Sequence, residues 1–257
     1  MKTIIHIGQQ KTATTSIQRY LRNNCNSYLK KGIYIPINFM GIDVEFEKTD
    51  RVGLPKVVNH QPLHIFSLSD KRLSYWSRRL INKNPSFLNH IKNNLENEVK
   101  KVYKDAVEKK CDKVVWSNEG LYLLNSLSEY QNLKNIFSIH SDEIEITCCF
   151  RDKEEYRESF TKQIMRLETN RHKGNPNNHP ELSNPKSCYY FGKESYLYDY
   201  NRKKELLQEC YDKCVFFNYC KENNVVNFLN KISLPICDKH TNVRSNVTNG
   251  KRRLLVL

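Results

Sequence analysis

Apolar residues recur along this chain in two rhythms. Lys2 to Ile7, Gly32 to Ile37, Lys113 to Trp116, Ile144 to Phe150 and Val215 to Tyr219 are short, β-rich runs that predict strands. "KVVW" and "IEITCCF" alternate little with polar residues, as strands buried on both faces should. Between the runs, amphipathic spacing predicts helices over Thr14 to Lys30, Ser86 to Lys110, Leu127 to Ile139, Lys153 to Thr169, Tyr196 to Lys213 and Lys221 to Ile232. Alternation of strand and helix implies an α/β fold, a three-layer sandwich with a central parallel sheet. No internal repeat or second domain is visible, so residues 1–257 read as one domain.

Two segments break the rhythm. Residues 38–84 scatter Pro, His, Ser and basic residues with weak periodicity, and residues 170–195 are rich in Asn and Pro. Structureless stretches of that length inside a domain are usually functional or disordered. Both are read here as acceptor-binding or lid insertions.

Composition narrows the classes. Hydrophobic residues make up 39% of the chain, enough for a core and against overall disorder. No apolar run is long enough to span a bilayer, and "MKTIIHIG" lacks the pattern of a signal peptide, so the cytoplasm is the expected location. The formal charge of +14 favours anionic partners without choosing among them. Nine cysteines are irregularly spaced, with no CxxC pair among Cys210, Cys214 and Cys220, and fit reduced thiols rather than zinc. Cys148 and Cys149 read as small hydrophobes within a strand.

The densest chemistry opens the chain. In "IIHIGQQKTATTSIQRYLRNN" a strand ends at Gly8 and a helix starts near Thr14, with Lys11, Thr12, Thr14, Thr15 and Ser16 between and around them. Amides of a first helical turn lack internal partners and, with the helix dipole, favour an anion. An ordinary N-cap by Thr14 or Thr15 needs one hydroxyl, and here four sit beside a lysine. The loop therefore reads as a phosphate site. It is not a Walker A loop, because no glycine immediately precedes Lys11, and "KVVWSNEG" does not end in a magnesium-binding Asp.

"GQQKTATTSIQ" resembles the 5′-phosphosulfate-binding loop of sulfotransferases, enzymes that use 3′-phosphoadenosine-5′-phosphosulfate (PAPS). The usual pattern is Lys, Ser or Thr, Gly, Thr, Thr, and Ala13 stands where the glycine is expected. A helix-like backbone there tolerates alanine, whereas a positive φ penalises it. The resemblance implies that Lys11, Thr12, Ala13, Thr14, Thr15 and Ser16 hold the 5′-phosphosulfate, in a P-loop-like sulfotransferase fold. A second match lies in "ITCCFRDKEEYRESFTKQIMR", where Arg151 ends a strand and Ser159 follows eight residues later. In these enzymes that pair holds the 3′-phosphate, and a forked guanidinium with a hydroxyl suits a phosphate monoester. The bland alternative is a surface pair of Arg151 with Asp152 or Glu155. Gln163 and Arg166 share the face of Ser159 and read equally as acceptor wall or solvated face.

Sulfuryl transfer needs a base for the acceptor's proton. Glu119, after the strand "KVVW", is the candidate, since polysaccharide-type relatives use a glutamate there; a first-turn acid beside Gly120 is the other reading. Lys11 would stabilise the leaving phosphate, and the scheme calls for no metal. The product cofactor would be adenosine 3′,5′-bisphosphate. The acceptor would be a hydroxyl or amine, on a small molecule or a glycan, itself anionic in one version. His6 reads as a packing residue, and His60, His64 and His140 have no motif around them. Arg252 or Arg253 would return to the 3′-phosphate by a looser match. Two other classes stand beside this one: a basic nucleic-acid-binding protein, and a P-loop kinase-like phosphotransferase.

Overall fold

The computed structural model describes residues 1–41, 58–69, 72, 85–167, 180–184, 187, 189–190 and 195–237. In chain order the elements are β1 (Lys2–His6), α1 (Thr14–Asn23), α2 (Cys25–Leu29), β2 (Ile33–Tyr34), α3 (Gln61–Ser67), α4 (Ser86–Glu108), β3 (Lys113–Ser117), α5 (Leu127–Ser138), β4 (Glu143–Phe150), α6 (Lys153–Leu167), α7 (Pro180–Ser183), α8 (Tyr200–Cys210), β5 (Lys213–Asn218) and α9 (Asn224–Lys231). Short 3₁₀ turns cover Phe39–Gly41 and Glu119–Leu123.

The five strands form one sheet in the order β2-β3-β1-β4-β5, and every pairing is parallel. Alternation along each strand separates two cores. Ile5, Trp116, Ile146, Cys148 and Phe150 face the side packed by α3, α4, α5, α6 and α8. Ile4, Val115, Cys149 and Phe217 face α1, α2 and α9. Cys148 and Cys149 thus fill opposite cores, as small hydrophobes should, and both are fully buried free thiols. The three-layer α/β sandwich is the architecture expected from the alternation of elements.

Boundaries differ where local chemistry overrides periodicity. The helix expected over Thr14 to Lys30 breaks at Asn24, whose side chain donates to the Tyr20 carbonyl and supplies a kinked junction. The last helix-to-strand passage is shorter than Tyr196 to Lys213, because Asp199 caps α8 by accepting from the Arg202 amide and Lys213 already belongs to β5. The strand expected over Gly32 to Ile37 shrinks to two residues at the sheet edge. Residues 38–84, read as irregular, contain α3, a helix with Pro62 in its first turn and nearly every side chain buried. Burial all round leaves no amphipathic stripe to read. Most of 170–195 lies outside the described residues. Among the described residues, no helix is long and apolar enough to cross a membrane.

A buried cation ties together elements on one face of the sheet. Lys203 on α8 is 2% exposed, and its ammonium donates to the Tyr122 carbonyl and the Tyr130 hydroxyl at 3.0 Å, and to the Leu124 carbonyl. It also lies 4.9 Å from the centre of the Tyr122 ring. Burial lowers its pKa from 10.5 to about 7. Above pH 7 the unfolded chain holds a proton that the folded one has begun to release, so stability rises with pH. In denaturant titrations, the stability of wild type relative to Lys203→Met should grow by about 1 kcal/mol between pH 7 and 8. An unchanged difference would mean the ammonium keeps its proton inside the fold.

Candidate functional site

The connections of β1 and β4 leave toward opposite faces, α1 to one and α6 to the other. Adjacent strands that diverge in this way open a crevice at their carboxyl ends, where ligands of parallel sheets bind. The segments that meet there are Ile7 to Ala13 after β1, Arg151 after β4, and Asn118 to Gly120 after β3.

The first segment begins as an extension of the sheet. Ile7 donates to Thr147 at 3.0 Å, Gly8 accepts from the Cys149 amide at 2.7 Å, and Gln9 donates to the Cys149 carbonyl at 3.0 Å. Gly8 has φ 99° and lies so close to the next segment that a Cβ would meet Glu119 Cα at 3.2 Å. The positive φ favours glycine there, and the close approach leaves little room for a side chain. Lys11 and Ala13 are also left-handed, with φ 66° and 58°, and alternate with Thr12, which is not. Such alternation curves successive amides into an anion-binding concavity. Ala13 begins α1 without a side-chain cap, its carbonyl accepting from Ser16 and Ile17 at 2.9 and 3.1 Å. The glycine-like conformation is therefore kept although the residue is alanine.

The hydroxyls divide by role. Thr12 is buried, donates to the Gln9 carbonyl at 2.6 Å, and has its own carbonyl held by Asn224 Nδ2 at 2.7 Å. It closes the loop and ties it to α9. Thr14 and Ser16 lie buried in the first turn of α1, while Lys11, Ala13 and Thr15 are half-buried at the rim.

Arg151 stands on the same rim as Lys11. Its Nη1 donates to the Lys11 carbonyl at 3.0 Å, and its guanidinium lies 5.1 Å from the Tyr219 ring centre. Its Nε and Nη2 meet the Glu155 carboxylate at 2.9 Å. Glu155 is 61% exposed, so this pair is worth no more than about 1 kcal/mol and yields readily to a better anion. Ser159 is half-buried on α6 one turn beyond Glu155, which puts it on the face turned toward Arg151. Gln163 is half-buried one turn further; the side chain of Arg166, with Arg252 and Arg253, lies outside the described residues.

Glu119 opens the 3₁₀ turn after β3. Its Oε2 accepts from Gln18 Nε2 on α1 at 2.6 Å, and burial raises its pKa, partly offset by its own backbone amide and by Gln18. A carboxylate held by a neutral amide keeps its basicity. The three sites thus lie on neighbouring strand ends, Arg151 on β4, Lys11 after β1 and Glu119 after β3. His6 is fully buried, bonded through Nδ1 to Ser117 Oγ at 2.8 Å, and burial depresses its pKa to about 3. It is a neutral packing group.

Sequence reading missed the residue that joins these parts. Gln9 is fully buried, and its Oε1 accepts the Arg151 amide at 3.0 Å. Its Nε2 reaches the hydroxyls of Tyr200 at 3.0 Å and Tyr122 at 3.3 Å. Tyr200 in turn donates to the Arg151 carbonyl at 2.8 Å, and Tyr122 belongs to the Glu119 turn. A polar amide between a strand and a phosphate loop was the available signal. Its partners are 113, 142 and 191 residues away, beyond any local pattern.

No family model and no curated protein matches the chain. Among solved structures it is similar to a sulfotransferase from Alicyclobacillus acidocaldarius, at 13% identity over 96% of this chain and 87% of that one, with a TM-score of 0.47. It is also similar to a sulfotransferase domain from the curacin biosynthetic pathway, at 10% identity over 92% and 75%, with a TM-score of 0.43. At that distance neither structure decides what this chain does, and the functional reading rests on the residues of the crevice.

The loop carries its own test. An alanine held at φ 58° is strained by about 1 kcal/mol relative to glycine. Ala13→Gly should therefore leave the protein equally stable or up to about 1 kcal/mol more stable in denaturant, unlike an ordinary helix-start glycine. A loss beyond about 1 kcal/mol would show that the left-handed conformation is not the one adopted.

Proposed function

We propose that this chain is a sulfotransferase that moves the sulfuryl group of 3′-phosphoadenosine-5′-phosphosulfate to a hydroxyl or amine acceptor. The observation that carries the reading is the meeting of Arg151 and the Lys11 loop on one rim, with Nη1 of Arg151 3.0 Å from the Lys11 carbonyl. Two cationic cradles that close together suit one ligand with anionic groups at two places. The donor set fits: a curved run of amides with Lys11 for the 5′-phosphosulfate, and the guanidinium of Arg151 with the Ser159 hydroxyl for the 3′-phosphate.

PAPS, when bound, supplies the sulfuryl group and leaves as adenosine 3′,5′-bisphosphate. Lys11 and the first-turn amides of α1 would stabilise the charge that grows on the departing phosphate oxygen. Glu119 accepts the acceptor's proton as the new oxygen–sulfur or nitrogen–sulfur bond forms and the sulfur–oxygen bond to the 5′-phosphate breaks. Gln18 orients that carboxylate without neutralising it. The basic surface, +14 overall, concentrates an anionic donor near the crevice.

Adenosine 3′,5′-bisphosphate should raise the melting temperature without added metal, ATP should do so far less, and Arg151→Ala should abolish the gain. Stabilisation by ATP and magnesium alone would instead support a phosphotransferase. Glu119→Gln separates binding from chemistry: affinity for the bisphosphate should persist while turnover drops by roughly 10²-fold or more. In wild type the acid limb of the rate profile should lie above the ordinary carboxylate range, because burial raises the Glu119 pKa. Near-normal turnover of Glu119→Gln would remove it from the role of base.

A further inference from the structure

The order of strand ends along the rim gives the crevice a direction. Both cationic cradles lie at β4 and β1, and Glu119 lies at β3, so an acceptor attacking away from the leaving phosphate arrives from the β3 and β2 side. The wall there is the segment Val58 to Gln61. Its backbone is pinned beside β3, with His60 donating to the Ser117 carbonyl at 3.1 Å and the Ser117 amide donating to His60 Nδ1 at 2.9 Å. Val58 donates to the carbonyl of Gln18, the residue whose side chain holds Glu119.

Three amides converge on this wall. Asn118 Nδ2 bonds Asn59 Oδ1 and, at 2.9 Å, Gln61 Oε1. Asn118 is fully buried, and its other end, Oδ1, has no hydrogen-bond partner. His64, 1% exposed on α3, has neither ring nitrogen partnered. Both groups crowd the turn at Gly120, where a Cβ would lie 1.9 Å from His64 Nδ1 and 2.7 Å from Asn118 Oδ1. Asn59 and Gln61 are half-buried, and each spends one end of its amide on Asn118. The other end of each has no partner among the described residues. Whichever way the amides are turned, each presents one uncharged donor or acceptor.

Resting on the sulfotransferase reading, we infer that Asn59 and Gln61, positioned by Asn118, form the acceptor subsite, and that its ligand is a neutral compound with neighbouring hydroxyl groups, such as a sugar or cyclitol. A hydroxyl both donates and accepts, so it complements amide ends in either orientation. Among the described residues a carboxylate or sulfate finds no cation in this cluster, and it would face Glu119. Arg72, the cation nearby in the fold, is engaged by Glu129, the Leu123 carbonyl and the Tyr196 hydroxyl. Burial keeps the imidazole of His64 neutral as well.

Saturation-transfer NMR on the full chain tests this, with methyl β-glucopyranoside, myo-inositol and glucuronate as probes, each with and without adenosine 3′,5′-bisphosphate. Signal should reach the two neutral polyols and be weaker for glucuronate. In Asn59→Ala/Gln61→Ala the polyol affinity should fall roughly tenfold, the loss of two modest hydrogen bonds, while bisphosphate affinity stays unchanged. No transfer to either neutral polyol, preference for glucuronate, or unaltered affinity in the double variant would each overturn the subsite. Failure of wild type to bind the bisphosphate would overturn the sulfotransferase reading instead, and the polyol signal, read without nucleotide, would still decide the subsite. The two substituted side chains are half-exposed, so the variant should fold where Asn118→Ala, deeply buried, could fail.

Discussion

The crevice depends on one buried amide. Gln9 must satisfy both ends of its side chain away from water, and an unpaired buried amide costs about 1–3 kcal/mol. It does so only if the Arg151 amide, Tyr200 and Tyr122 all stand where they do. The exit of β4, the start of α8 and the turn that carries Glu119 are thereby registered against the loop after β1. The sheet alone would leave these connections free to drift, since strand pairing ends with the strands.

A second set of constraints works from beneath. Lys203 draws together the carbonyls of Tyr122 and Leu124, at the end of the Glu119 turn, and anchors them to α8. Glu129 receives the Asn125 amide at 2.9 Å and pairs with Arg72, closing the entry to α5. Among the described residues the buried charges of Glu129, Glu145 and Lys203 are partnered at short range, as burial requires.

The fold was legible where periodicity controls the outcome. All five strands and the long helices follow from apolar runs and amphipathic spacing, because each must bury one face or both in the layered sheet. Helix α3 was not legible, since Leu63, His64 and Ile65 are buried on all sides and show no stripe. Within the site, Lys11, Arg151 and Glu119 stand at strand ends, positions a local pattern can mark. The committed hydroxyl of Thr12, the junction at Gln9 and the amide cluster around Asn118 depend on partners distant in sequence. Ala13 is the instructive middle case: the departure from glycine was visible, but only the backbone reveals that φ stays left-handed.

The division of charge across the rim would let an anion cradle and a base coexist on neighbouring strand ends. A carboxylate salt-bridged to Lys11 or Arg151 would have its pKa lowered and would be a poor proton acceptor. Arg151 is engaged by Glu155 from the first turn of α6 and by the Lys11 carbonyl, and Glu119 is held by the neutral Gln18 in a setting whose burial raises its pKa. An anionic ligand entering the cradle would compete with Glu155, the exposed, weak partner of Arg151. A negative charge bound there would raise the basicity of Glu119 further, as a nearby like charge does.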